Sequence, residues 1–240
     1  MPRCYANPSC WNEDGVTLGP EESHHLTNVL RLGPGQKVDV FDGVGREGEA
    51  EIVHLDRKRV ELKVRSSRTL PDTGPALHLF QAVLKSQKMD LVIQKAVELG
   101  ARTVIPVECE RTVARIKPAQ MADKTERWSR IALNAAKQCG ANRLTGIEPV
   151  HPLTEVEERV DAYELFLVGA LRPDAAGLKT LCAKRPKDVA LLIGPEGDFS
   201  PAEYDRLEKA GARFASLGQR TLRAETAALY ALSVLHYELS

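Results

Sequence analysis

Two short segments near the carboxyl end of this chain concentrate residue types that can do chemistry. They are Ile193-Gly194-Pro195-Glu196-Gly197-Asp198-Phe199 and Leu217-Gly218-Gln219-Arg220-Thr221-Leu222-Arg223-Ala224-Glu225-Thr226, and each follows an apolar run. Gly194 and Gly197 lack a Cβ, so the backbone can approach a ligand with its N–H and C=O groups unobstructed. Pro195 stiffens the turn between them. Such a loop suits a flat adenine ring read by main-chain hydrogen bonds, although a plain strand-to-helix connection would use the same residue types. The second segment gathers Arg220, Arg223 and Glu225, two cations and a carboxylate able to offset or accept charge that develops in a reaction. Two such segments in succession favour a ligand site over a mere connection.

Positioning these loops requires strands that end where the loops begin. Apolar runs at 77–84, 103–107, 165–168, 189–193 and 214–217 have the length and continuity of strands buried on both faces. Helical patterns lie between them over 89–99, 119–139 and 201–210, each followed by a glycine (Gly100, Gly140, Gly211) placed to cap a carboxyl end. Ser200, Pro201 and Glu203 form the signature of a capped helix start. The stretch 224–237 predicts a terminal helix. Strands alternating with helices imply an α/β domain with a mostly parallel sheet, and both chemical loops then lie beyond carboxyl ends of strands, where such sheets form ligand crevices.

The first third of the chain reads differently. Leu26, Val29 and Leu30 have helical spacing, and after them come β-type runs at 38–41, 52–55 and 60–64 that alternate with charged residues, a small antiparallel sheet or barrel. The segment 68–75, with two prolines, a glycine and an aspartate, predicts a linker. The domains expected are therefore 1–72 and 73–240. Gly43-Val44-Gly45-Arg46-Glu47-Gly48 matches the glycine pattern of dinucleotide-binding folds, but strand residues follow it where that motif needs a helix, so a β-turn is expected.

Composition removes several function classes. The chain has 240 residues, 43% hydrophobic and 28% charged, with no run of the roughly eighteen apolar residues that a membrane-spanning helix needs and no secretion-signal order at its start. A cytoplasmic protein without a membrane partner is expected. Five scattered cysteines, none in a C-x-x-C pair, encode neither a disulfide framework nor a zinc site, and the adjacent His24 and His25 lack a third ligand nearby, so no metal is expected. Net charge is zero, yet residues 71–150 carry 12 Lys and Arg against 8 Asp and Glu. That excess would serve phosphate contacts if the fold gathers it on one face, and solvated helix faces if it does not.

The runs LLIGPEGDFSPAEYDRL and LGQRTLRAETAAL resemble the RsmE family, bacterial 16S ribosomal RNA uridine-N3 methyltransferases of the SPOUT superfamily. Further matches are His25 to Arg31 with Gly33-Pro34-Gly35, Glu98-Leu99-Gly100, Glu110-Arg111, and Gln138-Cys139-Gly140 with Asn142-Arg143. The resemblance implies a PUA-like β-barrel over 1–72 that helps to hold RNA. It also implies a SPOUT methyltransferase domain over 73–240 with a carboxyl-terminal trefoil knot, which no feature of the hydrophobic periodicity calls for. S-adenosylmethionine would be the cofactor, bound by Leu167, Gly169, Gly194, Pro195, Glu196, Gly197, Leu217, Gly218, Leu222 and Arg223. The partners implied are 16S rRNA, free or within the assembled small subunit, and a second copy of the chain. Asp198 departs from the family pattern, which carries a second glycine there in many members; Asp tolerates left-handed backbone better than most residues, so the loop shape is expected to survive.

Charge chemistry then suggests roles. Methylation at N3 of uracil must dispose of a proton and of an anion spread over O2 and O4, which suits Arg223, with Arg111 or Arg220 as further donors and Glu225 orienting an arginine or accepting the proton. Glu225 and Thr226 would equally serve to cap the last helix. Arg31, Lys85, Arg111 and Arg143 are the expected RNA-phosphate contacts. A SPOUT enzyme acting on another RNA or base atom would share every cofactor residue, whereas a non-catalytic RNA-binding protein would have no reason to keep both carboxyl-terminal motifs.

Overall fold

The computed structural model describes residues 1–13, 15–56 and 59–240, and divides them into two compact units. The first comprises residues 1–73 together with 136–144. Its strands are β1 (Arg3–Tyr5), β2 (Gly15–Leu18), β3 (Lys37–Phe41), β4 (Arg46–Leu55) and β5 (Val60–Thr69), in the spatial order β1-β3-β4-β5-β2. All pairs are antiparallel except β1 with β3. Alternation along the strands sends Val38, Val40, Ala50, Ile52, Val60 and Leu62 to a single core. Two register shifts in β4, at Glu49/Ala50 and Ile52/His54, bend the long β4–β5 hairpin.

The glycine pattern at 43–48 is the β3–β4 turn, as its context predicts. Asp42 Oδ1 accepts from the amides of Val44 (2.8 Å) and Arg46 (2.9 Å), and Gly43 and Gly45 take φ of +77° and +118°. Helix α1 (Pro20–His24) begins earlier than the apolar spacing suggests, because Pro20 supplies the first-turn geometry, and it runs into a π-helical turn over His25–Val29 that Arg31 ends at φ +54°.

Residues 136–144 belong to this first unit, whereas the sequence pattern assigns them to the second. Lys137 Nζ donates to both carboxylate oxygens of Glu22 (2.7 and 2.9 Å), and the Leu144 amide donates to the Gly43 carbonyl (2.9 Å). Helical periodicity continues unbroken to Cys139, so nothing local marks the change of packing partner. The strand β5 also takes up Arg68 and Thr69, the first residues of the expected linker.

The second unit holds an eight-stranded sheet in which every pairing is parallel. In chain order its elements are β6 (Ala76–Ala82), α2 (Ser86–Glu98), β7 (Ala101–Glu108), α3 (Met121–Cys139, of which residues 121–135 belong here), β8 (Gly146–Ile147), β9 (His151–Pro152), α4 (Leu153–Glu157), β10 (Leu165–Gly169), β11 (Ala176–Gly177), α5 (Leu178–Leu181), β12 (Asp188–Ile193), α6 (Pro201–Lys209), β13 (Arg213–Ser216) and α7 (Ala224–Leu239). The spatial order is β11-β13-β10-β12-β6-β7-β8, with β9 also on β7. Covered on both faces, β12 is buried from Val189 to Ile193, which is why its sequence is a continuous apolar run. Helix α7 turns Ala224, Ala227, Ala228, Ala231, Leu232 and Leu235 inward, and its small residues let it lie close against β6, β12 and α2. The α/β reading of this region therefore holds, with the ends of the expected strands and helices met within a few residues, while the short β8, β9, α4, β11 and α5 lie outside that reading.

Candidate active site at the carboxyl ends of three adjacent strands

Strand β10 lies between β12 and β13, paired in parallel with both, with Val168 opposite Leu192 on one side and Phe214 on the other. Gly169, Ile193 and Ser216 consequently end side by side, and the chain leaving each contributes to one cleft of about 280 Å³. The walls are Gly169, Ala170 and Leu171 from the end of β10, Ile193 to Glu196 and Asp198 from the first loop, and Leu217, Gly218 and 220–224 from the second, with Ala227 of α7 behind them.

The first loop is held rigidly by its own side chains. Ser200 Oγ accepts from the Glu203 amide (3.3 Å) while Glu203 Oε2 accepts from the Ser200 amide (2.8 Å), completing the capping box. Glu203 is buried, and its other oxygen accepts from the Glu110 amide at 2.7 Å. Arg111 Nη1 donates to the carbonyls of Gly197 (3.1 Å) and Phe199 (3.3 Å). Phe199 fills the space beside Gly194, where an added Cβ would meet its ring at 2.9 Å, and likewise a Cβ on Gly169 would meet Ile193 Cδ1 at 2.8 Å. Asp198 adopts φ +59°, closes a turn through its amide on the Pro195 carbonyl (3.0 Å), and accepts from Tyr204 Oη at 2.7 Å. Asp at the left-handed position thus preserves the loop shape expected of a glycine.

The second loop is less constrained. Gly218 sits at φ +111°, and its amide reaches Ser216 Oγ at 3.4 Å. At the far end Arg223 takes the position before α7 and its carbonyl accepts the Ala227 amide at 2.8 Å. The side chains of Arg220 and Arg223 are exposed at the cleft with no ion-pair partner among the described residues.

Eight of the ten residues expected to hold a cofactor line this cleft. Gly197 is outside the lining and packs against Arg111, and Leu167 is fully buried inside β10. Glu225 is outside the lining too. Its Oε2 is buried without a hydrogen bond of its own and faces Lys88 Nζ at 3.5 Å. Lys88, in the first turns of α2, also donates to Glu196 Oε1 at 3.0 Å. Burial works against ionisation of Glu196, but a backbone hydrogen bond and the ammonium of Lys88 hold its carboxyl below the usual carboxylate range. The hydrogen bond and charge of Glu196 raise Lys88 in turn. Lys88 was hidden in the sequence: it is more than a hundred residues from both carboxylates, with only its basic character as a signal.

Of the RNA-contact candidates, Arg31 and Lys85 are exposed with no ion-pair partner among the described residues. Arg143 donates to the carbonyls of Val44 (2.7 Å) and Leu70 (3.2 Å), and Arg111 is spent on the first loop as described. No group of three His, Cys, Asp or Glu side chains able to hold a metal occurs among the described residues, and the five cysteines are free.

A family model for the RNA methyltransferase domain matches residues 72–236, and one for the RNA methyltransferase PUA domain matches residues 18–65. The chain is 31% identical over 228 residues to the ribosomal RNA small subunit methyltransferase E of Bacillus subtilis, covering 91% of this chain and 88% of that protein. The protein of the same name from Mycobacterium tuberculosis is 30% identical, covering 90% and 83%. Among solved structures, a methyltransferase of Legionella pneumophila with bound cofactor SAM superposes at a TM-score of 0.91 with 32% identity, covering 99% of this chain and 97% of the other. The ribosomal RNA small subunit methyltransferase E of Neisseria gonorrhoeae, bound to S-adenosylmethionine, gives 0.87 and 28%, covering 99% and 97%.

Proposed function

The chain belongs to the ribosomal RNA small subunit methyltransferase E family, and from that premise we propose that it transfers a methyl group from S-adenosylmethionine to N3 of one uridine in 16S ribosomal RNA. The observation that carries this reading is the cleft. In a fold shared with relatives solved with that cofactor, two glycine loops and the end of β10 leave an apolar-walled space bordered by two uncommitted arginines.

The residues present fit the cofactor. Gly169 and Gly194 sit where no side chain has room, so main-chain groups border the cleft, while Ile193, Leu217 and Leu222 offer the apolar walls that a purine ring takes. S-adenosylmethionine supplies an electrophilic methyl group on a sulfonium. The chain's own task is to hold uridine N3 in line with that methyl, and proximity of this kind supplies much of the rate. N3 gives its proton to solvent before it accepts the methyl, and until the transfer neutralises it the negative charge shared by O2 and O4 needs donors beside the base. Arg223 is placed for that role, with Arg220 beside it. Arg111, committed to two carbonyls of the first loop, supports the site by shaping it. Glu225 stands behind the cleft and is assigned a charge-balancing role rather than contact with the base.

Arg31 and Lys85, with free cationic ends, are assigned to RNA phosphates, and Arg111 and Arg143 contribute less because their guanidiniums are engaged. The amino-terminal unit, over the span that matches the PUA domain, is assigned to holding RNA. The SPOUT knot is supported by connectivity: from β12 the chain passes beyond β10 to reach β13, then returns so that α7 packs on β12 and β6. A homodimer, which the resemblance to the family implies, is part of the proposal. The proposed setting is the cytoplasm, with 16S rRNA either free or within the assembled small subunit; among the described residues no helix is long and apolar enough to cross a membrane.

Nucleoside mass spectrometry of ribosomal RNA from cells with and without the gene tests the reaction. Loss of 3-methyluridine from the small-subunit RNA, restored by purified protein and S-adenosylmethionine, is expected. Unchanged 3-methyluridine with loss of another methylated nucleoside would remove the base assignment and keep the methyltransferase.

A further inference from the structure

Lys88 is the side chain through which three separate elements meet at the back of the cleft. It rises from α2, far from both loops in sequence. Its ammonium lies 3.0 Å from Glu196 of the first loop and 3.5 Å from Glu225, two residues into α7 and directly after the second loop. The Glu225 side chain is only 13% exposed and its Oε2 makes no hydrogen bond of its own, so the charge there is faced by Lys88 and by the first turn of α7. A lysine suits this position better than an arginine would, because a compact ammonium can face two carboxylates in different directions whereas a planar guanidinium favours one.

The two loops differ in what else holds them. The first has its capping box, the Arg111 strap and the Asp198–Tyr204 hydrogen bond. The second is anchored at its ends, by Ser216 Oγ on the Gly218 amide and by the start of α7. Whatever fixes Glu225 relative to Glu196 therefore fixes the less constrained wall of the cleft against the rigid one.

We propose that Lys88 is a positioning residue whose ammonium clasps the two cofactor loops together through Glu196 and Glu225, setting the width of the cleft and with it the affinity for the cofactor. The inference rests on the cofactor reading above. Lys88 makes no contact with the reacting atoms, so its loss acts on ligand binding and on loop order, with the chemical step at saturation largely preserved.

The test uses the full chain with Lys88→Met, which keeps length and removes charge, and Lys88→Arg. Binding is read by calorimetry with S-adenosylhomocysteine, turnover at saturating S-adenosylmethionine, and loop order by amide hydrogen exchange in the ligand-free protein. For Lys88→Met we expect affinity to fall about fourfold, turnover at saturation to stay within about twofold of the parent, and exchange at 217–224 to accelerate. Lys88→Arg should recover only part of both losses, because a guanidinium engages one carboxylate at a time, and Glu225→Gln should reproduce the exchange effect, which separates a clasp from general destabilisation. Unchanged affinity in Lys88→Met overturns the proposal, whether or not exchange accelerates. If the parent protein itself binds neither S-adenosylmethionine nor S-adenosylhomocysteine, the cofactor reading fails instead, and unchanged exchange in Lys88→Met would then overturn the clasp separately.

Discussion

At the scale of single residues, the cleft separates positions that tolerate change from positions that do not. Gly218 at φ +111° has no neighbour within 4 Å of the place an added methyl would take, so Gly218→Ala acts through backbone strain alone. That strain amounts to roughly 1–2 kcal/mol and falls on the loop that closes the cleft. The exposed loop sheds that strain by shifting when no cofactor is bound and takes it up again on binding, so we expect cofactor affinity to drop about tenfold with little change in overall unfolding, measured by calorimetry and urea titration. Arg223→Ala should lower turnover on RNA by about 10²-fold while leaving S-adenosylhomocysteine affinity within a few fold, and near-normal turnover would remove Arg223 from the chemistry. Among the basic residues, Arg31→Ala and Lys85→Ala should each flatten the salt dependence of RNA binding by somewhat under one unit of slope, whereas Arg143→Ala should mainly cost stability because its guanidinium ties together two turns of its own unit.

At the scale of elements, the start of α6 decides how well the first loop is ordered. The signature Ser200-Pro201-x-Glu203 was legible in the sequence, and the capping box forms as that signature implies. Its second use was not legible, since Glu203 also accepts the Glu110 amide from ninety-three residues away. Ser200→Ala should therefore cost about 1 kcal/mol, the usual worth of a cap, and Glu203→Ala about 2 kcal/mol, because it strands the buried Ser200 amide and also removes the acceptor of the half-buried Glu110 amide. Urea unfolding distinguishes the two, and equal losses would mean that the Glu110 contact contributes nothing. The same reasoning explains why Arg111 reads in sequence as a catalytic or RNA-binding cation and serves in the structure as a strap across Gly197 and Phe199. A side chain's type is visible in the sequence, but its partner is set by packing.

At the scale of the whole molecule, pH acts at the ends of the sheet away from the cleft as well as beside it. His78, near the start of β6, is held below its ordinary value by burial, which outweighs the pull of Asp188 at 3.2 Å. The unfolded chain then takes up the proton more readily than the folded one, so stability is full above the unfolded value near 6.5 and declines as pH falls below it. Glu196 and Glu148 are depressed in the folded state, so their contribution persists to lower pH and is lost only as pH falls through their folded values, below the usual carboxylate range. Urea unfolding at about pH 7.5 and about pH 5.5, on either side of the ordinary histidine value, should show reduced stability at the lower pH, with a smaller difference in His78→Gln. Equal differences in the two proteins would show that His78 does not carry the effect.

The sequence by itself determined the long elements and the motif loops, whereas short ones such as β1, β2, β8, β9, α4, β11 and α5 are too brief to carry a pattern. Buried parallel strands must be apolar throughout, helix ends need caps, and glycine is demanded where backbone is left-handed or closely approached, so each of these leaves a local mark. The runs at 189–193 and 214–217 and the glycines at 194 and 218 carry those marks without help from the rest of the chain. Tertiary structure decided what has no local signature. It placed β10 between β12 and β13, so that three chain-distant ends form one cleft, and it returned residues 136–144 to the amino-terminal unit. It kept Leu167 inside the sheet while Gly169, two residues on, reached the cleft, and it brought Lys88 to Glu196 and Glu225. Strand order and long-range ion pairs follow from how faces pack across the whole core, and a contact spanning a hundred residues depends on every element between its ends.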